Sequence, residues 1–271
     1  MRRLLRKSWA EAIGVLVFGA VTNAFADSAV IVGAGEVGTW TTTGYVANPN
    51  ASTDTLIVTY APFRCQALTG CPPAFVLGPL GSAFMVAAAF GEFGTFYVTQ
   101  QESSPPPFPL VRASFATSTA PVRSVDIPVV LLSRLMSANI SKLNFGGITD
   151  ASPPPCAFPT VCYAPHSTLV LGNIQRDDGG PAEDLPVELD LFDPSGILVG
   201  SAPLTIPYGE TALIGNVAQY VGEASPGGGP LGFAGQLRVT RTSGGALMWG
   251  IVYTTAVDGA VTASAGVNLS P

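Results

Sequence analysis

Pro186-Val187-Glu188-Leu189-Asp190-Leu191, followed by Asp193-Pro194-Ser195-Gly196 and then Ile197 to Ile206, decides the fold class. Successive side chains of a strand point to opposite faces. Val187, Leu189 and Leu191 therefore share one face, and Glu188 and Asp190 the other, which is the pattern of a half-buried strand. Asp193 to Gly196 reads as a turn with proline preset for its second position. Ile197 to Ile206 then returns as the hairpin partner. Near the end, Ala246 to Val257 and Ala260 to Val267 form another hairpin around a two-residue Asp258-Gly259 turn. In the first half, Leu56, Val58 and Tyr60 share a strand face, and Thr95 to Gln100 and Val111 to Thr117 are further strands. Helical signals are confined to Ala87 to Phe93 and Asn216 to Gly222, each long enough for a single turn. The expectation is an all-β chain.

The two halves match in order. Thr55-Leu56-Ile57-Val58-Thr59-Tyr60 corresponds to Pro186-Val187-Glu188-Leu189-Asp190-Leu191, Pro79-Leu80-Gly81-Ser82 to Pro207-Tyr208-Gly209-Glu210, and Gly94-Thr95-Phe96-Tyr97-Val98-Thr99 to Gly235-Gln236-Leu237-Arg238-Val239-Thr240. The second half carries a Gly/Pro-rich insertion, Glu223 to Leu231. This predicts two tandem antiparallel β-sandwiches, residues 27–122 and 123–271. The changeover falls near Ala120 to Asp126, before Ile127-Pro128-Val129-Val130 begins a new strand.

Trp40, Thr42, Asn48 and Pro49 form a W-x-T-x-x-x-x-x-N-P segment. Pro79 and Gly81 give a P-x-G turn, and Gly94, Phe96 and Val98 a G-x-φ-x-V strand. In these residues the chain resembles tandem immunoglobulin-like β-sandwich modules of secreted, largely uncharacterised bacterial proteins. The second half matches only from Asn173 onward and lacks the Trp and the Asn-Pro. The resemblance implies a sandwich fold and an extracellular or surface setting, and it brings no catalytic residue with it.

Residues 1–26 read as a secretory leader. Arg2, Arg3, Arg6 and Lys7 are its basic start, Ala12 to Val21 its apolar run, and Ala24-Phe25-Ala26 its small-x-small site, placing the cut between Ala26 and Asp27. As an uncleaved anchor the run is short against a hydrocarbon core of ~30 Å. The whole chain has 12 basic and 18 acidic residues; the leader takes four basics and Glu11, leaving 8 and 17, a net of −9. Such a surface repels nucleic acid and anionic lipid. The long uncharged stretch Cys65 to Gly91 is interrupted by Pro72, Pro73 and Pro79, so no stable membrane insertion is expected.

Cys65, Cys71, Cys156 and Cys162 form two C-x5-C pairs. In an exported chain an even number of cysteines points to disulfides, here the local pairs Cys65–Cys71 and Cys156–Cys162, each worth roughly 2 kcal/mol by loop closure. Spacing leaves crossed pairing between the loops open. A four-thiolate zinc site is the rival, against the usual C-x2-C spacing and against oxidation on export.

Gly33-Ala34-Gly35-Glu36-Val37-Gly38 has the spacing of a dinucleotide fingerprint, which requires a helix to follow. The next residues, Thr39-Trp40-Thr41-Thr42-Thr43-Gly44, are four β-branched threonines with a tryptophan and a glycine, poor helix material, so a Gly-rich connection between strands is expected and no cofactor. His166, the single histidine, sits beside a cysteine loop, reads as a solvated loop residue, and excludes H-E-x-x-H. Asp177, Asp178, Glu183 and Asp184 offer oxygens for calcium on a loop, with no EF-hand spacing. Glu188 and Asp190 share a face, as a glycosidase pair or any solvent face would. Trp40, Tyr45, Tyr97, Tyr208 and Trp249 could stack on sugars, but strand parity puts Trp40 with Val46 and Trp249 with Ile251, toward the core. The expected function is non-catalytic, structural or adhesive, with an extracellular protein or polysaccharide as partner. A carbohydrate-binding or carbohydrate-active domain is the alternative, and an outer-membrane β-barrel the third reading, against a C-terminus without an aromatic residue.

Overall fold

The computed structural model describes residues 27–37, 40–61, 75–86, 93–100, 108–117, 123–151, 165–176, 179–224, 232–256 and 258–268. The proposed leader residues up to Ala26, all four cysteines, Asp177, Asp178 and the expected turn at Ala87 to Phe93 (apart from Phe93) lie outside them.

The chain is all-β, of the sandwich class. Its first strands are β1 (Ser28–Ala34), β2 (Glu36–Val37), β3 (Trp40–Ala47), β4 (Asp54–Ala61), β5 (Phe75–Leu77), β6 (Ser82–Val86), β7 (Gly94–Gln100), β8 (Leu110–Thr117), β9 (Ser124–Ile127) and β10 (Val130–Leu131). They pair antiparallel in two sheets. One has the order β10-β1-β7-β4-β5; the other runs β2-β3-β8-β9, with β6 also on β3. Helix α1 (Leu132–Ala138) follows. Then come β11 (Lys142–Asp150), β12 (His166–Ile174), β13 (Leu185–Phe192), β14 (Leu198–Ile206), β15 (Thr211–Ile214), helix α2 (Val217–Ala224), β16 (Phe233–Arg241), β17 (Leu247–Thr255), β18 (Val261–Ala265) and β19 (Val267–Asn268).

The later strands repeat the earlier topology. β19-β11-β16-β13-β14 has the order of β10-β1-β7-β4-β5, and β15, β12, β17 and β18 pair as β6, β3, β8 and β9 do. In the second set the two sheets meet at a single corner pair, Asp150 with His166. Every strand order is open, so the chain is not a closed barrel. Among the described residues no helix is long and apolar enough to cross a membrane.

Register aligns the halves residue by residue. Leu56, Val58 and Tyr60 stand opposite Gln100, Val98 and Phe96, as Val187, Leu189 and Leu191 stand opposite Arg241, Val239 and Leu237. Gly94 and Gly235 occupy one place, facing Ala34 and Ile148 beside a bulge in each half. Each bulge contains a left-handed glycine, Gly33 (φ 74°) or Gly147 (φ 70°). Gly33 to Val37 thus form a strand bulge leading into β2, not a helix N-terminus.

One expected correspondence shifts by a residue. Leu77 faces Asp54 as Ile206 faces Leu185, so Gly78-Pro79-Leu80-Gly81 matches Pro207-Tyr208-Gly209-Glu210. The Gly81 N–H donates to the Gly78 carbonyl at 2.9 Å and the Glu210 N–H to that of Pro207 at 3.0 Å. The left-handed position is therefore Leu80 (φ 54°) in the first turn and Gly209 (φ 76°) in the second. A leucine in this conformation costs about 1–2 kcal/mol, and Leu80 is 73% exposed and so contributes little burial. Leu80→Gly is expected to raise Tm by about 1–3 °C, after the larger unfolded-state entropy of glycine is set against the relieved strain. A fall in Tm on differential scanning calorimetry would contradict the left-handed assignment.

Three other expectations change. The last hairpin turns over Ala256–Ala260, with the Ala256 N–H bonded to the Ala260 carbonyl, rather than through Asp258-Gly259 alone. Asn216 precedes and caps α2, its side chain accepting from the Gln219 N–H at 3.2 Å, and the helix runs from Val217 to Ala224 with Val217, Ala218 and Val221 buried. Residues Ser124–Leu131 pair with β8 and β1, and α1, not foreseen, buries Leu132 and Leu135. Asp27 receives the Ser133 hydroxyl at 2.7 Å and the Ser133 N–H at 3.2 Å at the start of that helix.

Candidate functional site

The same polar crosslinks recur in both halves and set the positions of the faces. The Gly35 N–H donates to Thr42 Oγ1 at 3.1 Å, and in the second half the Thr149 N–H donates to Ser167 Oγ at 3.0 Å. Asn48 Nδ2 donates to the carbonyls of Ser52 and Gly78 at 2.8 and 3.1 Å. Asn173 Nδ2 donates to Glu183 and Ile206 at 2.9 and 3.0 Å. Both asparagine side chains are buried and tie neighbouring turns to the strand, Asn48 through the exposed residues Ser52 and Gly78, Asn173 through half-buried Glu183 and buried Ile206. Asn173 is thus the counterpart of Asn48 without its proline. The equivalence of His166-Ser167 to Thr41-Thr42 was hidden because serine replaces threonine and Pro165 stands where Trp40 does.

β1 is buried along its whole length. Its core face meets β8, and its other face meets β12 and β17 of the second set. The approach is close: a Cβ on Gly33 would lie 2.8 Å from Val170 Cγ1, and one on Gly172 3.2 Å from Val32 Cγ1. Polar contacts between the sets join Thr95 Oγ1 to Thr211 Oγ1 at 2.9 Å, the Gln175 N–H to the Tyr97 hydroxyl at 2.8 Å, and the Arg123 guanidinium to the carbonyls of Gly259 and Asp258.

This docking makes two equivalent faces unequal. In the second set the row Leu213, Val170, Ile251 lies across β15, β12 and β17, and Val170 and Ile251 are fully buried under the first set. The matching row in the first set is Phe84, Tyr45, Arg112 across β6, β3 and β8. It is open: Phe84 is 63% and Tyr45 45% exposed. Arg112 Nη2 pairs with Asp126 Oδ2 at 3.0 Å at the surface, and Thr43 Oγ1 bonds Ser114 Oγ at 2.9 Å beside it. These residues line a cleft of about 180 Å³.

The other aromatic candidates are elsewhere. Trp40 is half-buried, stacked on Phe115 at 5.2 Å. Tyr97 is buried, and burial pushes its phenol pKa up. Tyr208 accepts from the Arg176 N–H at 3.2 Å, and Trp249 packs against the core. His166 is not a loop residue. It begins β12, half-buried, and lines a second cleft at the junction of the two sets. Asp190, expected on a solvent face, is 8% exposed and receives Arg238 Nη2 at 2.8 Å and the Ser201 hydroxyl. Glu188 neighbours it on the half-buried side of β13. Of the calcium candidates within the described residues, Glu183 accepts the Gly245 N–H at 2.7 Å and Asp184 the Tyr208 N–H at 3.2 Å.

No protein-family model and no curated protein matches the chain.

Proposed function

We propose that the protein is an exported, non-catalytic binding module of two tandem immunoglobulin-like sandwiches, presenting the open outer face of its first half to a polysaccharide. The observation that carries this is the contrast between equivalent rows. In the aliphatic row Leu213-Val170-Ile251, Val170 and Ile251 are packed under protein and only Leu213, at the edge, is exposed; Phe84-Tyr45-Arg112 is aromatic, charged and open along its whole length. Tyr45 and Phe84 stand directly opposite each other on paired strands, close enough for their rings to form one platform. The C–H faces of a pyranose stack on such rings, and its hydroxyls suit the guanidinium, carboxylate and hydroxyls alongside. The exposed Arg112–Asp126 pair is worth about 0–1 kcal/mol and gives up its partner at little cost. The strand pairing supports a changeover between the two sandwiches at α1 rather than at residues 122 and 123. The export part rests on residues 1–26 and the two C-x5-C pairs. It is tested by whether protein recovered outside the cytoplasm begins at Asp27 with both disulfides formed.

The binding test is affinity electrophoresis of the mature protein through gels containing soluble glucans and xylans, with sedimentation on cellulose and chitin. Retention by at least one is expected. Tyr45→Ala and Phe84→Ala should each weaken it about three- to tenfold, from the value of one aromatic contact, and leave Tm unchanged because both rings are exposed. If no polysaccharide retains the protein, or if the double variant is retained like the parent, the reading is wrong.

A further inference from the structure

We propose that the open face selects uncharged polysaccharides over acidic ones, and that Asp126 is the residue that sets this choice. The inference rests on the polysaccharide reading of that face and adds the chemical class of the ligand. The face has two adjoining rows. Phe84, Tyr45 and Arg112 form the first, across β6, β3 and β8. Thr43, Ser114 and Asp126 form the second, across β3, β8 and β9. Residues two apart on a strand point the same way, so the rows lie side by side, roughly 7 Å apart. A pyranose laid on the rings of the first row turns its rim of hydroxyls toward the second. There it meets two hydroxyls bonded to each other at 2.9 Å, and a carboxylate in contact with a guanidinium at 3.0 Å.

The selection is argued from the charge pair. The side chains of Arg112 and Asp126 are both 74% exposed and meet through one nitrogen and one oxygen. Asp126 Oδ1 and the other guanidinium N–H groups have no partner among the described residues. One sugar hydroxyl can therefore donate to Asp126 while its neighbour accepts from Arg112. An uncharged ring makes both bonds and leaves the charges balanced. An acidic ring does not. Among the described residues lining the cleft, Arg112 and Asp126 are the charged ones, and their charges sum to zero. A carboxylate drawn to Arg112 comes within a few ångströms of Asp126, so the attraction of one is cancelled by the repulsion of the other. It also takes the place of the hydroxyl that would donate to Asp126.

The test is isothermal titration calorimetry of the mature protein with the hydroxyethyl and carboxymethyl ethers of cellulose, xylan and chitin. The two ethers of one backbone carry substituents of similar size, one neutral and one anionic. Salt at about 0.15 M screens charges more than about 8 Å apart, so the comparison reads the local pair and not the net charge of the protein. The hydroxyethyl ether of at least one backbone is expected to bind at least about threefold more tightly than its carboxymethyl counterpart. Asp126→Asn should weaken the neutral ether about three- to tenfold, the worth of one hydrogen bond. It should also shrink or reverse the preference, because the repulsion is gone and Arg112 is left to the carboxylate. Glu223→Gln makes the same change in net charge at an exposed position on α2 and should leave both affinities as in the parent. Asp126→Ser repeats the test should Asp126→Asn alter the melting curve. Binding of neither ether by the parent overturns the polysaccharide reading and this inference with it. Equal or tighter binding of the carboxymethyl ether leaves that reading standing and overturns the inference alone. So does an unchanged preference in a folded Asp126 variant.

Discussion

Gly33→Ala is expected to destabilise the protein by about 2–5 kcal/mol, and Gly147→Ala by only about 1–2 kcal/mol. The two glycines occupy the same bulge in the two halves, at φ 74° and 70°, so the left-handed backbone penalises a side chain equally at both. What differs is the surroundings. A Cβ on Gly33 meets Val170 Cγ1 at 2.8 Å and Phe93 Cζ at 3.2 Å, whereas one on Gly147 meets nothing within 4 Å. Val170 is β-branched and fully buried, so its methyl has no second rotamer to retreat to. Urea unfolding of the two variants against the parent reads the difference as the overpacking cost between the strand sets. Equal losses would mean that the sets do not pack against each other through β1 and β12.

Asn173→Ala and Asn48→Ala should each cost about 2–4 kcal/mol, lowering Tm by about 5–10 °C. The amide of Asn173 is the donor for two backbone carbonyls, Glu183 and Ile206, at 2.9 and 3.0 Å, and the residue is 1% exposed. Alanine leaves the carbonyl of buried Ile206 and that of half-buried Glu183 without that donor. Asn48 donates to Ser52 and Gly78 and, at 3.4 Å, to Leu77, the counterpart of Ile206, and it also accepts the Asn50 N–H through Oδ1 at 2.8 Å. Calorimetry on both variants tests this; a shift within about 1 °C of the parent in either would show that its crosslink carries no stability.

Much of the candidate site was visible in the chain but not its exposure. Tyr45 was among the five aromatic candidates, and parity set Trp40 and Val46 together on the opposite, inward face. Phe84 was missed because five residues of β6 between a turn and an uncharged stretch carry too short an alternation to read. Tyr253 and Phe115 lie in strands that were foreseen, yet nothing in either strand announces that they meet. His166 reads from the sequence as a loop residue because it sits beside a cysteine loop, whereas it opens β12 by pairing with Thr255.

The sequence by itself determined the all-β character, the principal strands and the order of the repeat, because these follow from period-two alternation and turn residues, which act over a few neighbours. It left the turn correspondence one residue out, since Pro79 and Pro207 look alike and only hydrogen-bond register shows that Leu80 and Gly209 share the left-handed place. Tertiary structure alone decided that β9 and β10 close the first set, that one face of β12 and β17 is covered while the matching face of β3 and β8 stays open, and that a cleft forms at the junction. The physical reason is that an aliphatic strand face is equally content against its own sandwich or against the neighbouring one. Which surface covers it depends on the close approach at Gly33 and Gly172, between residues more than a hundred positions apart.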